Sequence, residues 1–241
     1  MIYSFLQNGD SAVTVQFQNE ISKEVNSQVT ALCDRLEAKR IDGVIELVPT
    51  FASLTVFYDC SVISSKKLKK KIEALIRDGE SHVKGTARVW NIPVCYDDEF
   101  ALDMETVCSH TKLTREAVIA LHTSKPYLIY MLGFLPGFAY LGGMDERLFT
   151  PRLKTPRLEI FEGAVGIGGE QTGIYPIASP GGWQLIGRTP VKLYDPQSDS
   201  PILLRAGWYV KFRPIDDAEF ARIAQQTAEG RYTCRQYLHR K

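Results

Sequence analysis

Charge of one sign is missing from this chain. Its 29 Lys and Arg stand against 28 Asp and Glu, a formal net charge of +1 over 241 residues. So small a charge gives no global field to favour nucleic acid or an anionic membrane, and neither is expected as a partner. Cysteine is scarce and odd in number, at positions 33, 60, 95, 108 and 234. No two form a CxxC pair, which argues against a zinc site or a disulfide framework and for reduced thiols in the cytoplasm. No apolar run approaches the roughly 20 residues that span a bilayer. Met1-Ile2-Tyr3-Ser4 lacks the basic start and apolar stretch of a signal peptide. GxxxxGK[ST], HExxH and GxSxG are all absent. Gly166-Ile167-Gly168 begins a GxGxxG, but Gln171 stands where the last glycine belongs. The chain therefore lacks a self-contained ATPase or hydrolase signature. There is no internal repeat and no low-complexity segment.

What is present begins with alternating strand and helix signals. Ile2–Leu6 and Ala12–Phe17 read as strands around an Asn8-Gly9-Asp10 turn. Ser22 reads as an N-cap, followed by Val25, Val29, Leu32 and Leu36 on one helical face. Val44–Val48 and Leu54–Tyr58 are β-rich. Ser64 or Ser65 opens a second helix with Leu68, Ile72, Leu75 and Ile76 inward, and Lys66, Lys67, Lys69, Lys70 and Lys71 on its solvated face. The order ββαββα, closed by a further strand, predicts an antiparallel sheet with helices on one face, a ferredoxin-like variant. The polar stretch from Asp78 to Gly85 fits a connection between domains.

Beyond it, Ala87–Val94 reads as a strand, and Thr106–Cys108 and Thr114–His122 as helical. Short β runs follow at Tyr127–Phe134, Ala164–Ile167, Trp183–Ile186, Val191–Tyr194 and Ile202–Phe212, broken by Gly and Pro. Many short strands of this kind predict a barrel or sandwich. Asp216–Tyr232 reads as a final helix. Tyr96-Asp97-Asp98-Glu99 reads as a solvated acidic loop. His122 ends an apolar helical face, where it is a candidate general base or a cap or core residue.

Residues 133–190 hold 12 of the 18 glycines and 6 of the 12 prolines. Misplaced in regular elements, 12 glycines would cost on the order of 10 kcal/mol. They are expected at positive φ or at close backbone approaches, where exposed N–H groups can cradle a carboxylate or phosphate. Phe134, Pro136, Phe138 and Tyr140 form either an aromatic pocket or docking surface, or a plug for a barrel end. Pro151-Arg152 and Pro156-Arg157 repeat at an interval of five, presenting arginines for a carboxylate or phosphate or simply to solvent. Gln171, Thr172, Tyr175, Gln184 and Arg188 offer hydrogen bonds to a polar ligand and Trp183 an apolar wall, or they are structural.

The motifs GFLPGFAYLGG (133–143), PRLKTPR (151–157) and GEQTGIYPIASPGGWQLIGRTP (169–190), with the late strand from Leu204 to Pro214, resemble the allophanate hydrolase subunit 1 group. That group includes the B-type subunits of 5-oxoprolinase and the Kip-type inhibitor of a sporulation histidine kinase. The resemblance covers nearly the whole chain and is looser around Gly9-Asp10 and Leu47-Val48-Pro49. It implies an α+β domain over residues 1–84 and a cyclophilin-like β-barrel over 85–241. It implies one subunit of an ATP-dependent complex that opens 5-oxo-L-proline to L-glutamate, inactive alone, with a companion barrel subunit and a third subunit. ATP would serve the complex, with no site identified in this chain, and no metal is implied. Relatives form half of the carboxyltransferase region of urea carboxylases. One branch inhibits a sporulation histidine kinase and is relieved by the companion. Carried onto the matching positions, Arg152, Arg157 and Arg188 would bind a carboxylate or acyl phosphate. Gln171, Thr172 and Tyr175 would hold the amide, with His122 positioning one of them. Phe134, Pro136, Phe138, Tyr140 and Trp183 would form the pocket wall or partner contact.

Overall fold

The structure is a computed structural model that describes residues 2–20, 22–78 and 86–240. Most of the expected connection, from Gly79 to Gly85, lies outside the described residues. The chain divides into two compact units, residues 1–85 and 86–241.

The first unit contains β1 (Tyr3–Asn8), β2 (Ala12–Phe17), α1 (Lys23–Lys39), β3 (Val44–Pro49), β4 (Ser53–Tyr58) and α2 (Ser65–Arg77). Ser22 caps α1, its hydroxyl accepting from the Val25 N–H at 3.2 Å. Ser64 does the same for α2 through the Lys67 N–H. The 3–4 spacing of Val25, Val29, Leu32 and Leu36, and of Leu68, Ile72 and Ile76, buries one stripe of each helix against Val13, Val15, Leu54 and Val56 of the sheet. The α2 lysines are left on the other side, apart from Lys69, which lies 5.9 Å from the Phe5 ring. The sheet order is β1-β2-β4-β3, antiparallel throughout. Strands β2 and β3 therefore run the same way with β4 between them, the split β-α-β of a ferredoxin-like layer. The closing edge strand is β1, contributed by the start of the unit rather than its end.

The second unit is a closed barrel. Its strands are β5 (Thr86–Cys95), β6 (Tyr127–Leu132), β7 (Ala139–Gly142), β8 (Arg157–Ile160), β9 (Ala164–Gly168), β10 (Gln171–Ile174), β11 (Ser179–Gly181), β12 (Gln184–Arg188), β13 (Tyr209–Ile215) and β14 (Gln236–Arg240). Its helices are α3 (Met104–Thr111), α4 (Arg115–His122) and α5 (Asp217–Ala228). The order β12-β9-β10-β7-β6-β13-β5 returns on itself through Arg188 opposite Cys95, giving seven strands in a ring. One pair is parallel: β13 and β5 register from Tyr209↔Val89 to Ile215↔Cys95. β5 is long enough for β14 to use the first half of an edge whose end meets β12. Strands β8 and β11 form a separate ribbon. Ile92, Val94, Ile129, Leu141, Val165, Ile167, Ile174, Ile186 and Phe212 fill the interior.

The α+β unit followed by a mainly-β barrel is the fold expected from the sequence. Three local expectations change. Val191–Tyr194 is not a strand; Tyr194 makes only an isolated bridge to Ile202. The strand expected from Ile202 begins at Tyr209. The last helix stops at Ala228, before Gly230 at φ +68°.

Candidate functional site

Along β9 and β10, Val165, Ile167, Thr172 and Ile174 turn into the barrel. Strand alternation then turns Gly166, Gly168 and Gly173 outward. Trp183 lies on these glycines. A Cβ at Gly168 would sit 2.5 Å from the indole nitrogen, one at Gly173 2.9 Å from its ring and one at Gly166 3.2 Å from its Cβ. Gly181 likewise yields to the Tyr175 hydroxyl at 2.5 Å and Gly142 to the Tyr130 ring. Five glycines of the window thus form a floor for aromatic rings. Gly137, Gly143, Gly163 and Gly169 are the ones in the window at positive φ. The expected cradle of exposed N–H groups is not formed by β9 and β10, whose backbones pair with each other.

On this floor Phe138, Tyr175 and Trp183 meet edge to face, with centroids 5.5, 5.5 and 6.2 Å apart. All three are buried. Trp183 and Phe138 are therefore a packed base rather than an open wall. Tyr140 packs on Phe138 at 5.1 Å and is half-buried. Phe134 is different. It is 64% exposed, touches Phe138 edge to face at 5.6 Å, and adopts φ +67°. A bulky side chain in the left-handed region costs about 1–3 kcal/mol, strain that clusters at working surfaces. Pro136, in the same turn, is exposed.

The three arginines separate. Arg152 is exposed, with its guanidinium carbon 5.7 Å from the Trp183 ring. Arg157 is half-buried and donates from Nη2 to Asp103 Oδ1 at 2.7 Å. Both act on the Tyr175 phenol, whose pKa is raised by burial against their opposing pull, with Tyr140 adding to the rise. Arg188 lies elsewhere. Its guanidinium sits among Phe100, Phe161 and Phe220 at 5.5, 5.1 and 5.7 Å, and Nε donates to the Glu162 carbonyl. The three arginines expected to share one anion site are not brought together: Arg188 lies in its own aromatic surround, apart from Arg152 on the Trp183 ring and Arg157 on Asp103.

The expected amide-holding set is not brought together either. Adjacent strand residues face opposite sides, so Gln171 points out where Thr172 points in. Gln171 and Tyr175 share a face but stand roughly 13 Å apart along the chain. Thr172 is fully buried, and so is His122. The Thr172 hydroxyl donates to the Gly166 carbonyl at 3.0 Å, so it accepts from His122 Nε2–H at 2.8 Å. That leaves His122 Nδ1 to accept from the Tyr96 hydroxyl at 2.8 Å. The ring stacks on Phe212 at 4.4 Å, and burial lowers its pKa to about 3. His122 is a satisfied core residue that stays neutral at physiological pH. It reaches no surface, so neither it nor Thr172 acts as a catalytic group in this geometry.

One participant was missed in the sequence. Asp103 precedes α3, where an aspartate would ordinarily cap, but its side chain makes no cap bond. Its carboxylate instead takes Arg157 and the Leu185 N–H, the latter at 2.7 Å. Nothing in its neighbours Leu102 and Met104 announces a partner 54 residues away. In the acidic loop, Asp97 joins Cys95 and Asp217 within 4.8 Å. Burial pushes the Cys95 thiol up to about 12, so at neutral pH it is a protonated donor to Asp217 rather than a thiolate.

Comparison with known proteins points the same way. Residues 3–204 match the family model of the carboxyltransferase domain, subdomain C and D. The chain is 44% identical to the 5-oxoprolinase B subunit of Bacillus subtilis, over 90% of this chain and 95% of that one. The crystal structure of TTHA0988 superposes with a TM-score of 0.76 at 36% identity, covering 85% of this chain and 40% of that longer one. The Kluyveromyces lactis urea carboxylase shares the fold at 22% identity and a TM-score of 0.78, over 98% of this chain and 24% of its own. A barrel floored by glycines under one tryptophan, an α+β unit before it and these matches together place the chain in the family of carboxyltransferase subdomains C and D, alongside the 5-oxoprolinase B subunits.

Proposed function

We propose that this chain is the B-type subunit of an ATP-dependent 5-oxoprolinase that converts 5-oxo-L-proline to L-glutamate. The observation that carries the reading is the pairing of Arg152 and Arg157 beside the buried Tyr175 phenol, over the Trp183 floor. A guanidinium above an apolar base suits a small ring that bears a carboxylate. A lactam is a poor electrophile, and its opening by water needs coupling to ATP. The sequence has no phosphate loop, and this chain contributes substrate contacts to a site shared with a companion barrel subunit and a third subunit. All five cysteines are free, as suits the cytoplasm. No helix among the described residues is long and apolar enough to cross a membrane.

The test is reconstitution with the companion and third subunits, with ATP-dependent glutamate formation as the readout. An Arg152→Ala complex is expected to show KM for 5-oxoproline raised about 10–100-fold, the loss of one charge-assisted hydrogen bond. Unchanged KM and kcat would remove Arg152 from the site.

A second reading is favoured by Phe134 alone. An exposed aromatic held outward by a strained backbone suits a protein contact, and the resemblance supplies a sporulation histidine kinase. Purified kinase is expected to lose autophosphorylation with the wild-type protein and to keep it with Phe134→Ala. Phe138 is too buried to serve as that contact.

A further inference from the structure

The sheet of the first unit has two edges, β1 and β3. An edge strand exposes a row of backbone N–H and C=O groups, and natural proteins block it with charge, proline or a bulge. β3 has each of these: Glu46, Pro49 and a register shift between Val44 and Glu46. β1 has none. Its sequence Tyr3-Ser4-Phe5-Leu6-Gln7-Asn8 carries no charge and no proline, and its register with β2 runs unbroken from Tyr3↔Phe17 to Asn8↔Ala12. Leu6 is 49% exposed. Among the described residues no strand pairs with the outer side of β1.

The charge missing from β1 stands beside it, on α2. The Ser65 hydroxyl donates to Gln7 Oε1 at 2.6 Å, and one turn on, Lys69 Nζ lies 5.9 Å from the Phe5 ring. These two contacts fix which flank of the helix meets β1. At 3.6 residues per turn, Lys66 and Lys70 come next around the helix, away from the core. Both are exposed, as are Lys67 and Lys71. Among the described residues none of these four lysines has a carboxylate partner; Glu73, the helix's own acid, goes to Arg77 at 3.6 Å. Lys66 and Lys70, like Lys67 and Lys71, are spaced four apart, where like charges repel.

The two features together select an occupant. A strand laid along β1 alternates its side chains between the α2 side, where Phe5 and Lys69 lie, and the open side, where Ser4 and Leu6 lie. Acidic residues suit the first side and apolar residues the second. A second copy of this chain does not suit: added antiparallel through its own β1, it would bring α2 against α2, lysine facing lysine.

We infer that β1 is a docking edge for an extended segment of another protein in which acidic and apolar residues alternate. Backbone hydrogen bonds to β1 hold the segment, and Lys66, Lys69 and Lys70 select its charge. The edge lies in the first unit, and the inference does not depend on the lactam-opening reading.

The probe is a fluorescein-labelled peptide of alternating Glu and Val, matched in length to β1 and titrated into the full chain by fluorescence anisotropy at low ionic strength. Two control peptides separate the two parts of the inference. A Gln–Val peptide keeps the backbone and loses the charge. A Glu–Val peptide methylated at every backbone nitrogen keeps the charge and cannot donate to β1. Each is expected to bind at least about tenfold more weakly than the probe. A Lys66→Glu, Lys70→Glu variant is expected to lose about tenfold for the probe and nothing for the Gln–Val peptide. Thermal unfolding checks that the variant keeps its fold, and the control peptides need no variant. Equal binding of the methylated peptide would reduce the contact to a general attraction for anions and overturn strand addition. Equal binding of the Gln–Val peptide, or unchanged binding by the folded variant, overturns the selection by lysine and with it the acidic partner. Absence of binding at low ionic strength overturns the docking edge. A dimer in sedimentation that the probe dissociates puts a second copy on β1 and overturns the inference in favour of self-association.

Discussion

Trp183→Ala is expected to lower the unfolding free energy of the barrel unit by about 3–5 kcal/mol, the range for a buried aromatic cut to alanine. The ring is 4% exposed and rests on strand backbone, which cannot collapse into the space it leaves. Gly168→Ala makes the complementary lesion. Its new methyl would lie 2.5 Å from the indole nitrogen, and overpacking of this kind costs about 1–3 kcal/mol. The two should not add. With the indole gone the methyl has room, so Gly168→Ala in a Trp183→Ala background is expected to cost little or to stabilise. Urea unfolding of the four proteins of this cycle measures the coupling. Additive costs would show that the ring does not rest on Gly168.

The second large effect is acid sensitivity from His122. Its folded pKa is depressed to about 3, while an unfolded histidine titrates near ~6.5. As pH falls below the unfolded value, the unfolded chain takes up a proton that the folded chain refuses. Stability that is complete above about pH 6.5 is therefore lost by about 1.4 kcal/mol per pH unit as the pH drops, levelling off as it approaches the folded pKa. Among the described residues no charged group offsets this: the ring is met by Tyr96, Thr172, Tyr127 and Phe212. A His122→Asn variant is expected to be less stable at pH 7.5 and to have a shallower acid slope between pH 6 and 4. The wild-type-minus-variant difference isolates the histidine from the carboxylates. A difference that does not change with pH would show that His122 is not the buried neutral group.

Much of the first unit could be read from the chain because its signals are local. Ser22 and Ser64 cap where serines before apolar periodic runs should, and Val13 and Val15, like Leu54 and Val56, recur at every second position into the core. The barrel was harder. Strands β7 and β10 carry Gly142 and Gly173 at outward positions, so the alternation that marks a strand is broken where a ring from another segment supplies the missing bulk. The same fact adds to the meaning of the glycine-rich window: four of its glycines take the expected positive φ, while five lie under Trp183, Tyr175 and Tyr130. The candidate site was legible in composition but not in grouping. Arg152, Arg157 and Tyr175 converge, whereas Arg188 sits in its aromatic cage and Thr172 faces inward, because a one-residue step along a strand reverses the face. Asp103, which anchors Arg157, had no local signal at all.

The parallel pairing of β5 with β13 also sets an order of events during synthesis. The first unit is complete once α2 has been made, and it can fold while the rest of the chain is still being translated. The barrel cannot close until Tyr209–Ile215 reach Val89–Cys95, some 120 residues earlier, and β14 joins the same strand later still. Contacts of such sequence separation form slowly. Until then β5 waits with one edge unpaired and the other met only at Cys95, the kind of exposed strand that aggregates or recruits chaperones.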